Sequence, residues 1–192
     1  MSKRRWAEVA SEIGGPAQLL TILLLEVGWS SRSLVPTITA VVTMGVIPYG
    51  VTVWLARTGR VSDRFVRDRR QRTPILLGTL GIFVLGGGAV WLMGSPAPLR
   101  ALVVVAGGGL VVVTLITVFW KVSVHATLAA FFAAMQIVLF GGWGAWGLVV
   151  LAAVLWARKA LSAHSVAQLV AGTILGCGLA VAYRVLESAL TS

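Results

Sequence analysis

Long runs of apolar residues, separated by short polar or glycine-rich stretches, dominate the chain. The full-length runs cover residues 35–56, 74–93, 99–119, 123–140, 143–157 and 164–186, and a shorter run covers residues 17–29. A transmembrane helix needs about 20 mostly apolar residues, and these runs lack the two-residue alternation of barrel strands. The pattern therefore predicts an all-α, polytopic transmembrane helical bundle with six spans, or seven if residues 17–29 also cross.

Turn-forming residues join four of these spans into two pairs. Pro96 and Pro98 separate the runs 74–93 and 99–119, and each proline removes a backbone donor and disfavours helix before it. Gly141 and Gly142 separate the runs 123–140 and 143–157 in the same way. We expect a helical hairpin in each case. Residues 1–16 have the pattern of an amphipathic lead-in, and residues 1–192 are treated as a single integral membrane domain.

The composition excludes a soluble protein. Hydrophobic residues make up 58% of the 192 residues and charged residues only 11%, whereas a soluble domain carries about 25% charged residues. A small core could not remove that much apolar surface from water. The net charge of +10 then concerns membrane topology and an anionic substrate, and we expect no nucleic-acid partner.

Basic residues are distributed unevenly between the two sides of the predicted bundle. Thirteen of the sixteen Lys and Arg residues fall on the side that holds the loop 57–73, and the exceptions are Arg32, Arg100 and Arg184. The positive-inside rule places the basic side in the cytoplasm. The expected location is the cell membrane, with loop 57–73 facing the cytosol.

Both histidines of the chain fall at the cytoplasmic ends of spans. His125 begins the span 123–140 and follows Lys121, and His164 begins the span 164–186 and follows Arg158. Ionisable residues at membrane depth are costly and indicate function by default. A histidine hydrogen-bonded inside the bundle is the alternative, but two histidines on one face, each after a cation, favour function.

No carboxylate occurs along this part of the sequence. The six acidic residues are Glu8, Glu12, Glu26, Asp63, Asp68 and Glu187, so none falls between residues 68 and 187. Buried cations need partners, and an anionic ligand would supply one. Because Mg²⁺ prefers carboxylate oxygens, we expect neither a metal nor another cofactor.

Helix N-termini on the same side would strengthen an anion site. Pro74 suits the first turn of its span, and Ser123 and Ser162 are candidate caps of the spans that follow them. Such ends carry about half a positive charge and free amide donors. Two imidazoles over a phosphate fit covalent catalysis, in which one attacks phosphorus and the other protonates the leaving oxygen. The predicted phosphate-binding residues are Arg72, Lys121, Ser123 and Arg158.

These residues resemble the signature of the type 2 phosphatidic acid phosphatase superfamily, KxxxxxxRP, PSGH and SRxxxxxHxxxD. Arg158, His164 and Gln168 reproduce the spacing of the third motif. Residues 122–125 (VSVH) keep the Ser and His of the second, and residues 72–74 (RTP) keep the Arg-Pro end of the first. The resemblance covers residues 57–187, which would form the catalytic core.

The resemblance implies a metal-independent phosphatase with His164 as nucleophile and His125 as general acid. It also implies that Arg72, Arg158 and Ser123 hold the phosphate. Three departures stand out, because Phe65, Val124 and Gln168 replace the lysine, the glycine and the aspartate of the signature. The missing cation would come from Arg64, Arg67 or, preferably, Lys121.

The replacement at position 168 affects the nucleophile directly. An amide oxygen of Gln168 can accept the imidazole N–H of His164 and fix its tautomer, but it supplies no charge to stabilise an imidazolium. The resemblance therefore implies a weakened or specialised phosphatase.

The predicted pocket opens into the bilayer, so the expected substrate is a lipid (di)phosphate. Isoprenyl or polyprenyl (di)phosphates are favoured over phosphatidic acid and phosphatidylglycerol phosphate. A terpene synthase or cyclase on the same fold and a non-catalytic lipid-phosphate binder or transporter are the alternatives, and self-association is left open. Five aromatic residues near the site would line a prenyl chain, or else serve packing and the membrane interface: Phe119, Trp120, Phe131, Phe132 and Trp156.

Overall fold

A computed structural model describes residues 2–60 and 69–192, with the side chains of all of these except residues 69–73. Most of the described residues are helical and none of them forms a strand, so the predicted all-α class is confirmed. Short π-helical and 3₁₀ segments occupy Val41–Val46 and Gly141–Ala145. Within the described residues the α-helices are α1 Lys3–Ile13, α2 Pro16–Ser30, α3 Leu34–Ala40, α4 Ile47–Arg57, α5 Arg69–Leu92, α6 Ala97–Phe119, α7 Val124–Phe140, α8 Trp146–Ala160 and α9 Val166–Thr191.

Six helical stretches among the described residues are long and apolar enough to cross a membrane. They are Lys3–Ser30, Leu34–Arg57, Pro74–Leu92, Ala97–Phe119, Val124–Ala160 and Val166–Thr191. Their lengths and compositions agree with the predicted membrane location. The stretch Lys3–Ser30 contains both α1 and α2, and the stretch Val124–Ala160 contains both α7 and α8.

The stretch Val124–Ala160 folds back on itself as the predicted hairpin. Gly141 has a φ of +60° and ends α7, because a residue without a side chain adopts that conformation at no steric cost. The 3₁₀ turn then occupies residues 141–145, so α8 begins at Trp146 and not at the predicted residue 143. The ring of Phe132 on α7 packs edge-on against Trp146, with centroids 5.4 Å apart.

The second predicted hairpin, between α5 and α6, is also present. Gly94, with a φ of +63°, follows the end of α5, and α6 begins at Ala97 with Pro98 in its first turn, where no amide donor is needed. The guanidinium of Arg100 lies over the ring of Trp91, 5.1 Å from its centroid. The proline-rich segment therefore belongs partly to the turn and partly to the start of α6.

The prediction that Pro74 stands in the first turn of its helix is wrong. Helix α5 begins at Arg69, and Pro74 lies inside it. The apolar stretch does begin at Pro74, but arginine and glutamine are good helix formers, so the backbone is already helical five residues earlier. The N-terminal amide donors of α5 are consequently displaced along the chain from the segment 72–74.

The chain divides into two compact units. The first unit comprises Met1–Leu23 and Val122–Arg184, and the second comprises Leu24–Lys121 and Val185–Ser192. Five of the predicted site residues belong to the first unit, namely Ser123, His125, Arg158, His164 and Gln168. Arg72 and Lys121 belong to the second.

In the first unit, α9 packs tightly along α7 through two glycines. A Cβ added at Gly172 would lie 2.8 Å from the carbonyl oxygen of Ser123, and one added at Gly176 would lie 2.8 Å from the Cβ of Ala130. Only a residue without a side chain allows this approach. Because successive residues of α9 meet successive residues of α7 in the same order, the two helices run parallel.

Helix α1 packs along α8 in the same unit. Ala7 shares a buried apolar cluster with Ala157, Leu161 and Ala163 of α8 and the loop that follows it. Gly14, farther along α1, lies beside Val154, farther back along α8. The two helices therefore run antiparallel, with the small residues of α1 against the last turns of α8.

Candidate functional site

The helix directions bring four predicted site residues to the same end of the first unit. Since α7 and α8 form a hairpin and α9 runs parallel to α7, the N-termini of α7 and α9 lie at the end where α8 finishes. Ser123 and His125 come from the start of α7, and Arg158 and His164 come from the last turn of α8 and the loop after it. The exposed fractions of these four residues are 0%, 8%, 2% and 8%.

Ser123 caps helix α7, as the sequence predicts. Its hydroxyl oxygen accepts the backbone N–H of Ala126 at 3.3 Å, and its carbonyl oxygen accepts the hydroxyl of Thr127 at 3.1 Å. A serine at this position satisfies one of the amide donors that the first helical turn leaves unpaired. His125 is the second residue of α7 and therefore stands in that first turn, close to the positive end of the helix dipole.

The prediction that Ser162 caps the last helix is wrong, because Ser162 belongs to the turn that closes α8 after Ala160 and does not begin α9. Its backbone is in the left-handed region, with a φ of 50°. The N–H of Ser162 donates to the carbonyl of Lys159 at 3.0 Å, and the N–H of Ala163 donates to the carbonyl of Arg158 at 3.1 Å. This pair of bonds closes the helix and folds the following loop over its final turn.

Ser165 and Gln168 cap α9 reciprocally. The N–H of Ser165 donates to the amide oxygen of Gln168 at 3.1 Å, and the N–H of Gln168 donates to the hydroxyl oxygen of Ser165 at 3.3 Å. This is a capping box, and the Ser-x-x-Gln spacing that signals it is visible in the sequence. The amide oxygen of Gln168 thus accepts a backbone N–H, that of Ser165. The sequence predicted instead that this oxygen accepts the ring N–H of His164 and orients the imidazole.

Arg158 is held by a residue that the sequence did not single out. Its Nη1 donates to the hydroxyl oxygen of Ser11 at 2.8 Å, and Ser11 is completely buried. The sequence signal for this contact is weak, since it consists only of small residues at positions 7, 11 and 14 on one face of α1. A serine on such a face is compatible with many structures.

The fold places two carboxylates in the same unit as this site, which corrects the expectation of acid-free surroundings. Helix α1 carries Glu8 and Glu12, and α1 packs on α8 although the two are far apart in the sequence. Glu8 is exposed and pairs with Arg4, with Nε of Arg4 and Oε1 of Glu8 3.2 Å apart. Glu12 is half-buried. The sequence between residues 68 and 187 contains no acidic residue, but the fold brings the acidic residues of α1 to this unit from elsewhere in the chain.

The two remaining predicted phosphate ligands lie in the second unit. The side chain of Arg72, like Arg64, Phe65 and Arg67, lies outside the described residues. Lys121 is half-buried and directly precedes the first unit in the chain. Among the described residues, no three His, Cys, Asp or Glu side chains come together as a metal-binding group.

The second unit contains a separate apolar cleft of about 480 Å³ between α4 and α5. Val51 and Leu55 line it from α4, and Ile75 and Ile82 line it from α5, with Arg60 as the charged residue among its lining side chains. The predominance of aliphatic groups distinguishes this cleft from the buried histidine and arginine residues of the first unit.

The aromatic residues proposed to line a prenyl chain divide into buried and exposed groups. Phe131 and Phe132 are fully buried, and Phe132 packs on Trp146 near the turn of the α7–α8 hairpin. Phe119, Trp120 and Trp156 are exposed on their helices and loops. For Phe132 the contacts correspond to the packing alternative.

No protein-family model, curated protein or solved structure matches the chain.

Proposed function

We propose that this protein is an integral-membrane lipid phosphatase that hydrolyses an isoprenyl or polyprenyl (di)phosphate, or a related lipid phosphate. The observation that carries the proposal is the burial of two imidazoles, a guanidinium and a hydroxyl at one end of the first unit. Ionisable groups are rare at membrane depth because they are costly there, and ligand binding or catalysis is the usual reason for their presence. The site faces the cytoplasm in this proposal.

His164 serves as the nucleophile. Its neutral imidazole attacks the terminal phosphorus, a nitrogen–phosphorus bond forms, and the bond between that phosphorus and the oxygen on its lipid side breaks. A lipid monophosphate leaves as the alcohol. A lipid diphosphate leaves as the lipid monophosphate, which a second round of the same steps converts to the alcohol. His125, as imidazolium, transfers its proton to the departing oxygen. Water then attacks the phosphohistidine, His125 takes a proton from that water, and phosphate leaves with the histidine restored. The step needs no metal or other cofactor.

Positive groups around the phosphate stabilise the charge that builds up on its oxygens. Arg158 supplies a planar pair of donors suited to two phosphate oxygens. Ser123 stands at the N-terminus of α7, a helix of 17 residues, whose dipole favours an anion at that end.

Hydrolysis by the purified protein tests the proposal. The protein in detergent, with EDTA present, is incubated with farnesyl diphosphate, geranylgeranyl diphosphate or phosphatidic acid, and both phosphate and organic products are measured. From the two diphosphates we expect release of phosphate with a linear prenyl monophosphate and then a linear prenol, and from phosphatidic acid release of phosphate with diacylglycerol. A hydrocarbon or a cyclic alcohol would replace the proposal with the cyclase alternative, and saturable binding without any turnover would replace it with the non-catalytic binder.

Substitution of the histidines tests the assigned roles. We expect His164→Asn to abolish phosphate release and His125→Asn to lower its rate by roughly 10²–10⁴-fold, the range for a general acid. Lys159→Ala is the matched control, since Lys159 is an exposed cation next to Arg158. A phosphoryl group that resists alkali and is released by acid should be trapped on the wild type and not on His164→Asn. Normal turnover by His164→Asn would refute the mechanism.

A further inference from the structure

Ser11 and Arg158 form a buried contact between the N-terminal helix and the candidate site. The residues are 147 positions apart in the chain, and both are nearly or completely removed from solvent. The same two helices also meet in the apolar cluster around Ala7 and Ala157 and at Gly14, which lies beside Val154. The packing of α1 on α8 thus places the hydroxyl of Ser11 within hydrogen-bond distance of the guanidinium of Arg158.

The bond to Ser11 restricts the direction of the guanidinium. The hydroxyl oxygen of Ser11 accepts from Nη1 of Arg158 at 2.8 Å and so limits the rotation of a long, flexible side chain. A guanidinium whose direction is already fixed loses less conformational entropy when it binds an anion than one that rotates freely. The bond therefore suits a cation that must present its planar donors to a phosphate.

We propose that Ser11 is a positioning residue for Arg158, and that α1 is for this reason part of the phosphate-binding site. This inference rests on the proposed function, because Arg158 requires a fixed direction only if it binds the phosphate of a substrate. Ser11 itself touches no reacting atom. Its effect passes through the guanidinium.

Steady-state kinetics of Ser11→Ala separate positioning from a purely structural role. If Ser11 orients the guanidinium, its loss weakens phosphate binding, and KM should rise roughly tenfold, which corresponds to one hydrogen bond to a charged group. If Ser11 only supports folding, fewer molecules are active, so the apparent kcat falls while KM stays unchanged. Ser188→Ala, on an exposed serine near the C-terminus, is the matched control.

A double-mutant cycle with Arg158→Ala tests whether the effect passes through the arginine. Ser11→Ala should raise KM in the wild-type background and have no further effect in the Arg158→Ala background. An equal rise in both backgrounds, or no rise in either, would overturn the inference about Ser11. The proposed function fails separately, if the wild type releases no phosphate from any of the three lipid substrates.

Discussion

The close contact between α9 and α7 makes Gly176 the position where one methyl group should do most damage. A Cβ at this residue would lie 2.8 Å from both the Cβ of Ala130 and the amide nitrogen of Phe131, and it would also approach the carbonyl of Thr127. Those atoms belong to the backbone and short side chains of α7, so they cannot rotate away. Gly176→Ala therefore forces the two helices apart, and with them the loop that carries His164.

Gly178 offers a matched control two residues farther along the same helix. A Cβ at Gly178 would have nothing within 4 Å. Both substitutions replace glycine by alanine inside α9, and each gains about 1 kcal/mol of intrinsic helix stability. Only Gly176→Ala adds an overpacking cost, which is about 1–3 kcal/mol. The difference between the two variants isolates that cost.

Thermal unfolding in detergent measures this difference. We expect Gly178→Ala to melt at or above the wild-type temperature and Gly176→Ala to melt lower, by on the order of 5 °C. Phosphate release should fall in Gly176→Ala and stay normal in Gly178→Ala, since the displaced helix follows directly on the site. Equal melting temperatures for the two variants would refute the close packing of α9 on α7 at Gly176.

Three further predictions concern the caps and the topology. Ser123→Ala should destabilise the protein by about 1 kcal/mol through loss of the α7 cap, as measured by thermal unfolding, whereas Ser188→Ala should not. Gln168→Glu should keep the stability of the wild type because glutamate preserves the capping box, whereas Gln168→Ala should lose about 1 kcal/mol. If Gln168 also orients His164, Gln168→Asp should increase the rate of phosphate release. No increase would count against that orienting role. The predicted orientation is tested with single cysteines in a Cys177→Ser background and a membrane-impermeant thiol reagent. Thr58→Cys should react only after the cell membrane is opened, whereas Met93→Cys should react from outside. The reverse labelling would contradict the predicted orientation.

The interpretation of the protein as an all-helical membrane protein depended on information that is local in the chain. Hydropathy averaged over about 20 residues identifies a span regardless of its neighbours, because the bilayer interior requires apolar side chains. Turn residues such as Gly141 and Pro96 act over only a few positions, so both hairpins were predictable. The cap at Ser123 was predictable for the same reason, since its bond closes within three residues.

Helix boundaries outside the apolar runs were harder to predict. Hydropathy marks where a chain enters the membrane, but a helix can begin earlier in polar residues, as α5 does at Arg69. Ser162 and Ser165 are equally acceptable caps by residue type. Which of them begins α9 depends on how α8 ends, and the left-handed backbone of Ser162 decides it.

The sequence by itself determined the all-helical class and the positions of the apolar stretches, and it supplied the residue types of the proposed phosphate site. Only the tertiary structure decided which of these residues share one end of a helical unit, because lateral packing depends on contacts between positions far apart in the chain. Gly172 and Gly176 let α9 approach α7, and small residues of α1 let Ser11 reach Arg158. The same packing brought Glu8 and Glu12 next to a stretch of chain that contains no acid. A glycine, alanine or serine in the sequence does not indicate which helix packs against it, since such residues only allow another backbone to come close.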